Sequence, residues 1–183
     1  MLDFNEGNKG EMSFSMSVSV TRKIDIYWKG LELELKLNHQ SKQIVFIDPI
    51  VLSFFSELVS LESNLPNLVI IPTNIGEKEK DANTLIPILS VLEQEGVGRR
   101  DDKVYVVGGG VLIDVISFAC SIFRRGIHLI KAPTTLLAFI DASVGIKSGI
   151  NFMGQRNRLG GYNSRFDVLL DPKFLKILDK GLI

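Results

Sequence analysis

The stretch KVYVVGGGVLIDVISFACSIF, residues 103–123, decides the fold class. Its first five residues, 103–107, are mostly β-branched or aromatic and predict a buried strand. Three glycines follow at 108–110, and residues 111–124 are then almost entirely apolar, which is typical of a helix buried on most of its faces. A strand, a glycine turn and a helix N-terminus in this order predict a phosphate-binding cradle, because free backbone N–H groups and the positive end of the helix dipole point at the same place.

The cradle differs from the usual dinucleotide-binding motif, in which a third glycine lets the helix pack closely on the strand. Ile113 occupies the place of that glycine, and the pattern here is G-G-G-x-x-x-D, ending at Asp114. Two interpretations of Asp114 remain open. Its carboxylate either only complements the helix dipole or also contacts a ligand.

Further polar residues follow the next predicted strand, residues 127–131. Thr134 and Thr135 come directly after it, and Asp141 and Lys147 lie on either side of Gly145. A polar loop over 149–162 then carries Arg156, Asn157 and Arg158. Because α/β sheets bind ligands beyond the carboxyl ends of their strands, these residues predict a binding site at that edge.

Outward from this stretch, strand and helix patterns alternate, which indicates βαβ units. We therefore predict an α/β fold: a Rossmann-like, mainly parallel sheet with helices on both faces, plus an N-terminal antiparallel strand pair. The pair is predicted from strict alternation at 14–20 and at 31–37. The remaining predicted strands are 43–47, 68–71, 103–107, 127–131 and one from 167, and the helices are 51–61, 82–95 and 111–124.

Domain limits follow from these elements. We expect a flexible N-terminus over 1–13, an α/β domain over 14–171, and the start of a truncated helical domain over 172–183. Lys+Arg and Asp+Glu both number 21, so no net charge favours nucleic acid or an anionic membrane as a partner. The single cysteine, Cys120, lies in the apolar helix and is interpreted as a core residue. No signal peptide or apolar run long enough for a membrane span is present, so we expect a cytoplasmic protein.

Four segments together resemble the sugar phosphate cyclases, the family that contains 3-dehydroquinate synthase. They are GGGVLID at 108–114, Arg-Arg-Gly at 124–126, PTTLLAFIDASVGIKSGINF at 133–152 and GQRNRLGGY at 154–162. The resemblance covers only the N-terminal part of that family. Residues 151–152 and 158–160 resemble its valiolone-type branch more than its dehydroquinate branch.

The resemblance implies an NAD-dependent carbon–oxygen lyase. In such enzymes a substrate hydroxyl is oxidised, phosphate is eliminated, the ketone is reduced again, and an intramolecular aldol step closes the ring. A sugar phosphate, here sedoheptulose 7-phosphate, is the implied substrate. A following helical domain supplies a glutamate and two histidines for a divalent metal, Zn or Co. These ligands are absent from this chain, since His39 and His128 have no metal-site spacing. For the full-length protein we expect a homodimer, and for this chain alone no turnover.

The resemblance also implies residue roles. Those at the cofactor are Glu77, Lys80, Gly109, Gly110, Asp114, Thr134, Thr135, Leu137, Asp141, Lys147 and Arg156. Those at the substrate are Arg125, Asp141, Lys147 and Asn157, of which Asp141, Lys147 and Asn157 are also the catalytic candidates. Two departures from the family pattern are Ile50, in place of a cofactor-binding asparagine, and Arg156, in place of a lysine, which changes a point charge to a planar fork.

Three alternative functions stay open. The first is a 3-dehydroquinate synthase that acts on the heptulosonate phosphate precursor. The second is a relative of the iron-type alcohol and glycerol dehydrogenases, which share the G-G-G-x-x-x-D cradle but place a lysine shortly after its aspartate. Residues 115–118 contain no lysine. The third is a truncated nucleotide-binding module without turnover.

Overall fold

The computed structural model describes residues 2–6, 12–16 and 23–175. The strands within these ranges are β1 Leu2–Glu6, β2 Met12–Met16, β3 Ile26–Trp28, β4 Gln43–Ile47, β5 Leu68–Pro72, β6 Lys103–Gly108, β7 Leu129–Pro133, β8 Lys147–Phe152, β9 Gln155–Tyr162 and β10 Phe166–Leu170. The helices are α1 Leu31–Leu37, α2 Pro49–Ser53, α3 Ser56–Asn64, α4 Ala82–Gln94, α5 Gly110–Ile122, α6 Leu136–Ile140 and α7 Pro172–Leu175, and a 3-10 turn covers Phe123–Arg125.

A six-stranded parallel sheet in the order β3-β10-β7-β6-β4-β5 forms the centre of the fold. This confirms the predicted Rossmann-like architecture. Strands β4 and β7 are buried along their whole length, and so is β6 apart from its first residue, as continuous apolar runs predict for strands covered on both faces. The chain proceeds from β4 to one side of the sheet and from β6 to the other, so the two strands flank a topological switch point.

The core consists of two layers, one on each face of the sheet. Ile44 and Val104 pack with α4 and α5, whereas their strand neighbours Val45 and Tyr105 pack with α1, α2 and α3 on the opposite face. Alternate side chains of one strand point to opposite faces, so each central strand contributes to both layers. Cys120 is buried within α5, which confirms its interpretation as a core residue.

The predicted strand at 31–37 is wrong, because these residues form helix α1. Leu31 and Leu35, four positions apart, are both buried, whereas Leu33 and Leu37 are more than half exposed. The sequence LELELKL therefore presents one helical face to the sheet although its letters alternate. Lys36 pairs with Glu32 at 2.6 Å, an i,i+4 contact that stabilises a helix and has no counterpart in a strand.

An antiparallel strand pair is present near the N-terminus, but its partners differ from those predicted. Strand β2 covers part of the predicted 14–20 segment and pairs with β1. Strand β1 lies within residues 1–13, for which the sequence predicts a flexible N-terminus. Residues 17–22 lie outside the described ranges. The edge strand β3, which pairs in parallel with β10, was not predicted.

Two further predictions need correction. The helix predicted at 51–61 divides into α2 and α3, with Phe55 buried between them. The polar loop predicted at 149–162 is part of an antiparallel hairpin of β8 and β9. Its turn residues Met153 and Gly154 both have positive φ, 49° and 73°, which suits a two-residue hairpin turn. In the described ranges, no helix combines the length and apolar character of a membrane span.

Candidate functional site

The N-terminus of α5 lies at the carboxyl edge of the sheet, next to the end of β7. Gly109 caps α5 with extended backbone, φ −78° and ψ 176°, and the helix begins at Gly110. A Cβ on Gly109 would lie 3.6 Å from the Thr135 side chain, so the glycine turn and the residues after β7 are in close contact. Thr134 donates its backbone N–H to the carbonyl of Gly108 at 3.0 Å and is buried. The predicted cradle is thus formed by two neighbouring strand ends.

Asp114 forms an ion pair with the predicted cofactor residue Lys80. The Lys80 Nζ atom lies 2.7 Å from Asp114 Oδ2 and 2.8 Å from Asn157 Oδ1, and it donates a hydrogen bond to each. The Lys80 side chain is only 5% exposed, whereas that of Asp114 is 30% exposed. A buried ammonium needs such partners, so the three predicted site residues are held in one fixed arrangement.

Asn157 reaches Lys80 because of an irregularity in β9. The pairing of β8 with β9 shifts between Ile150 and Phe152, and Asn157 adopts a left-handed conformation with φ 49°. Asparagine tolerates this region better than most residues. Bulges of this kind redirect side chains beside functional sites. The bulge was not predicted, because residues 149–162 were expected to form a polar loop and not paired strands.

A cavity of about 570 Å³ opens between the start of α5, α6 and the turn that precedes α4. Its lining includes seven of the predicted site residues: Glu77, Lys80, Gly110, Asp114, Leu137, Asp141 and Lys147. Asp141 ends α6 and is exposed, and Lys147 begins β8 and is exposed. A neighbouring cavity of about 450 Å³ shares Asp114 and Lys147 with the first and adds Asn157. We refer to the two together as the cleft.

Some predicted site residues lie at the margin of the cleft or away from it. Thr135 accepts the N–H of Ala138 at 3.2 Å and caps α6, so its hydroxyl already has a structural partner. Arg156 is exposed, with its Nε atom 3.7 Å from Glu77 Oε1, and both line a third cavity between α4 and the hairpin. Arg125 follows the C-terminal end of α5, about 20 Å along the helix from Gly110, so the structure does not bring it into the cleft.

Lys131 supports a wall of the cleft without lining it, and the sequence analysis did not predict this role. It is 1% exposed, and its Nζ atom donates to the carbonyls of Ala142 at 3.0 Å and Gly145 at 2.7 Å. Its ammonium also lies 3.8 Å from the centre of the Phe166 ring. Burial lowers the pKa of Lys131 to about 8, an effect that nearby Asp114 opposes. Lys131 thus fixes the turn that carries Asp141 and Lys147, and a lysine inside a predicted buried strand was the signal that could have revealed it.

Neither histidine belongs to the cleft. His39 contacts the carbonyl of Lys36, and His128 pairs with Asp167 at 3.0 Å at the opposite edge of the sheet. Asp48, at the end of β4, caps α2 by accepting the N–H of Ile50, whose own side chain is exposed. Among the described residues, no group of three or more His, Cys, Asp or Glu side chains could hold a metal ion. This part of the chain therefore does not fit a metal.

Comparisons with known proteins agree with this geometry. Residues 70–183 match the family described as 3-dehydroquinate synthase, N-terminal. A 2-epi-5-epi-valiolone synthase from Actinoplanes sp. is 44% identical over 111 residues, which cover 61% of this chain and 28% of the relative. A 3-dehydroquinate synthase from Clostridium tetani is 33% identical over 163 residues, or 88% of this chain and 43% of the relative.

Solved structures give the same result. The 2-epi-5-epi-valiolone synthase of Streptomyces hygroscopicus subsp. jinggangensis, with NAD+ and Zn2+ bound, superimposes with a TM-score of 0.80 at 30% identity and covers 92% of this chain and 48% of its own. A 2-deoxy-scyllo-inosose synthase complexed with carbaglucose-6-phosphate, NAD+ and Co2+ has a TM-score of 0.69 at 25% identity, over 83% of this chain and 44% of its own. An iron-containing alcohol dehydrogenase at 15% identity shares the fold alone.

The chain spans less than half the length of these relatives. The family match nevertheless includes every predicted site residue from Glu77 to Asn157. The family match covers more than half of the sequence, and the chain has the fold of a valiolone synthase. The chain therefore belongs to the 3-dehydroquinate synthase family of sugar phosphate cyclases.

Proposed function

We propose that this chain is the NAD-binding part of a sugar phosphate cyclase and that NAD occupies the cleft. One observation carries the proposal: a single cavity of about 570 Å³ collects a glycine-started helix N-terminus, the Lys80–Asp114 pair and the exposed cation of Lys147. This cavity lies at the carboxyl edge of the sheet, where the segments that follow β5, β6 and β7 meet, and open α/β sheets bind nucleotides at that edge.

The residues of the cleft fit a dinucleotide. The first N–H groups of the 13-residue helix α5 have no partners within the helix and suit the pyrophosphate. Glycine at 109 and 110 leaves the backbone there open to a close approach. Leu137 is 70% exposed and gives the cleft an apolar wall beside the polar groups, as nucleotide sites require.

Bound NAD would supply the hydride acceptor and donor of the family reaction. The chain's own residues would hold the reactants. Lys147, which lines both parts of the cleft, would bind the phosphate group of the substrate as a charge-assisted donor, and Asn157 would add a neutral polar contact. The exposed carboxylate of Asp141 is the candidate for holding a substrate hydroxyl or its proton. No step is assigned to a metal, since the described residues do not fit one.

Sedoheptulose 7-phosphate is the proposed substrate, and the full protein is a proposed carbon–oxygen lyase. The 44% identity with a 2-epi-5-epi-valiolone synthase supports this choice. A second candidate, the heptulosonate phosphate precursor of 3-dehydroquinate, is favoured by the 33% identity with a 3-dehydroquinate synthase over 88% of this chain. That precursor carries a carboxylate, and a site without a partner for a buried charge would reject it strongly.

Phosphate release distinguishes the two substrates. The product of the complete gene, supplied with NAD and a divalent metal, is expected to release phosphate from sedoheptulose 7-phosphate and to leave the sugar acid phosphate unchanged. Release from the sugar acid alone would contradict the substrate proposal but not the family.

NAD binding itself is tested on this chain by isothermal titration calorimetry. We expect weak binding, and Gly110→Val, which places a branched side chain in the cradle, is expected to weaken it at least tenfold. Gly30→Val makes the same change at the cap of α1, away from the cleft, and should bind NAD as the wild type does. No heat of binding with the wild type, or equal affinity in the Gly110 variant, would refute the proposed site.

A further inference from the structure

Asn151, near the end of β8, contacts three of the residues assigned to the cleft. Its backbone N–H donates to the carbonyl of Lys80 at 2.7 Å. Its side-chain Nδ2 donates to the carbonyl of Glu77 and to Glu77 Oε1, both at 3.2 Å. Its side-chain Oδ1 accepts the backbone N–H of Asn157 at 2.9 Å. One asparagine thus links the turn before α4 to the bulge in β9.

These bonds close a ring. Lys80 Nζ donates to Asn157 Oδ1, the N–H of Asn157 donates to Asn151 Oδ1, and the N–H of Asn151 donates to the carbonyl of Lys80. Lys80 therefore has both its backbone and its ammonium attached to the hairpin. The ammonium also donates to Asp114, so the ring determines the position of the Asp114 carboxylate in the cleft.

The amide side chain of Asn151 satisfies both of its neighbours. Its carbonyl oxygen accepts from Asn157, and its NH₂ group donates to Glu77, whose carbonyl and carboxylate are both acceptors. Aspartate would keep the acceptor but place a second carboxylate against that of Glu77. Alanine would leave the N–H of Asn157, in its unusual left-handed conformation, without this acceptor.

We propose that Asn151 is a positioning residue of the cleft: its side-chain amide fixes the turn at Glu77 and the bulge at Asn157 relative to each other and thereby places Lys80 and Asp114 for the cofactor. The inference rests on the proposed NAD site. Asn151 itself is not assigned a contact with cofactor or substrate.

Hydrogen–deuterium exchange tests the positioning without any ligand. In Asn151→Ala, exchange of the Asn157 amide and its neighbours in β9 is expected to accelerate at least tenfold, whereas Asn151→Asp should retain the protection because its oxygen still accepts that N–H. Asn64→Ala removes a comparable asparagine hydrogen bond on the outer face of α3 and serves as the control. Unchanged exchange in Asn151→Ala would overturn the inference, whatever the outcome for NAD.

NAD affinity supplies the second readout. Asn151→Asp should weaken NAD binding about tenfold. In the double variant with Glu77→Gln, NAD affinity should be at least threefold higher than in Asn151→Asp alone. The amide introduced at position 77 donates to the new carboxylate, and the net charge returns to that of the wild type. Glu77→Gln alone should bind no more tightly than the wild type. A variant that only damages the fold would show an additive loss in the double variant, and that outcome would overturn the inference. If the wild type binds NAD and all variants match it, the inference fails while the proposed function stands.

Discussion

Lys80 and Asp114 are 34 residues apart in sequence, yet Lys80 Nζ lies 2.7 Å from Asp114 Oδ2 in the interior of the cleft. Lys80 precedes α4 and Asp114 lies within α5, so the pair joins two consecutive crossover helices on one face of the sheet. Asp114 therefore does more than complement the helix dipole. Its carboxylate balances a buried ammonium, a structural role that neither of the two interpretations from the sequence included.

Replacing Asp114 by alanine is expected to abolish detectable NAD binding and to lower the free energy of unfolding by about 2 kcal/mol, because the Lys80 ammonium stays buried without its counter-charge. Calorimetric titration and urea denaturation measure the two effects. Asp101→Ala, in an exposed loop, is the matched control and should change neither quantity. Equal NAD affinity in the Asp114 variant would contradict the assignment of Asp114.

The lowered pKa of Lys131 predicts that it makes the free energy of unfolding increase with pH in the alkaline range. Its pKa is about 8 in the folded chain and 10.5 in the unfolded chain, so between these values the unfolded state binds more protons and the free energy of unfolding increases with pH. The contribution approaches about 3 kcal/mol across the interval. Lys131→Met, which keeps a long side chain without a titratable group, should remove that rise. Denaturant unfolding at pH values from about 7.5 to about 10 compares the two proteins, and parallel pH profiles would contradict the prediction.

Gly160 lies in β9 opposite Gly149 of β8, where there is no room for a Cβ. A Cβ at this position would be 2.5 Å from the carbonyl oxygen of Ser148, and backbone cannot retreat as a flexible side chain would. Gly160→Ala is expected to destabilise the protein by about 1–3 kcal/mol through the resulting backbone shift. Gly30→Ala, whose Cβ would meet its nearest atom at 3.8 Å, should be nearly neutral. Thermal unfolding followed by circular dichroism checks both.

Helix α5, although apolar on most of its faces, is covered by the sheet, α4 and the hairpin. Exposed apolar side chains lie between α6 and β8, where Ile140 is 70% and Val144 46% exposed. We expect the chain to self-associate through this patch.

Sedimentation velocity at increasing protein concentration tests it. Ile140→Lys should shift the chain toward monomer, whereas Val59→Lys, an equally polar change at a 52% exposed position on α3, should not. A wild type that is monomeric at every concentration would contradict the prediction.

The sequence predicted the sheet well where residues are buried on both faces. Residues 43–47 and 103–107 have no polar alternation, and such runs, alternating with amphipathic helices, fit few arrangements other than a parallel sheet. The family resemblance placed Lys80, Asp114, Lys147 and Asn157 at one site, and their gathering around one cleft agrees with it, although their roles stay predictions.

Prediction from the sequence failed where a segment fits both a strand and a helix pattern, or where tertiary contacts determine the local structure. LELELKL satisfies both a strand and a helix template, and the burial of Leu31 and Leu35 against the sheet selected the helix. The hairpin was missed because β9 is almost wholly exposed, so its residues carry no apolar alternation. Asn151 was missed as a site residue because its role consists largely of contacts with backbone atoms, which no residue pattern encodes. Lys131 was also missed, although a lysine within an apolar strand is an unusual residue that could have drawn attention.

Strand β3 has a consequence for biosynthesis. Asp25 and Asp167, at the start of the β3–β10 pair, are 142 positions apart and joined by a hydrogen bond. In the six-stranded sheet, the first strand to leave the ribosome thus acquires its neighbour last, roughly 7–30 s later at ordinary translation rates. Until then its backbone edge and Trp28 stay available to other nascent chains, so a cell that makes this protein needs β10 to emerge quickly or a chaperone to shield the waiting segment.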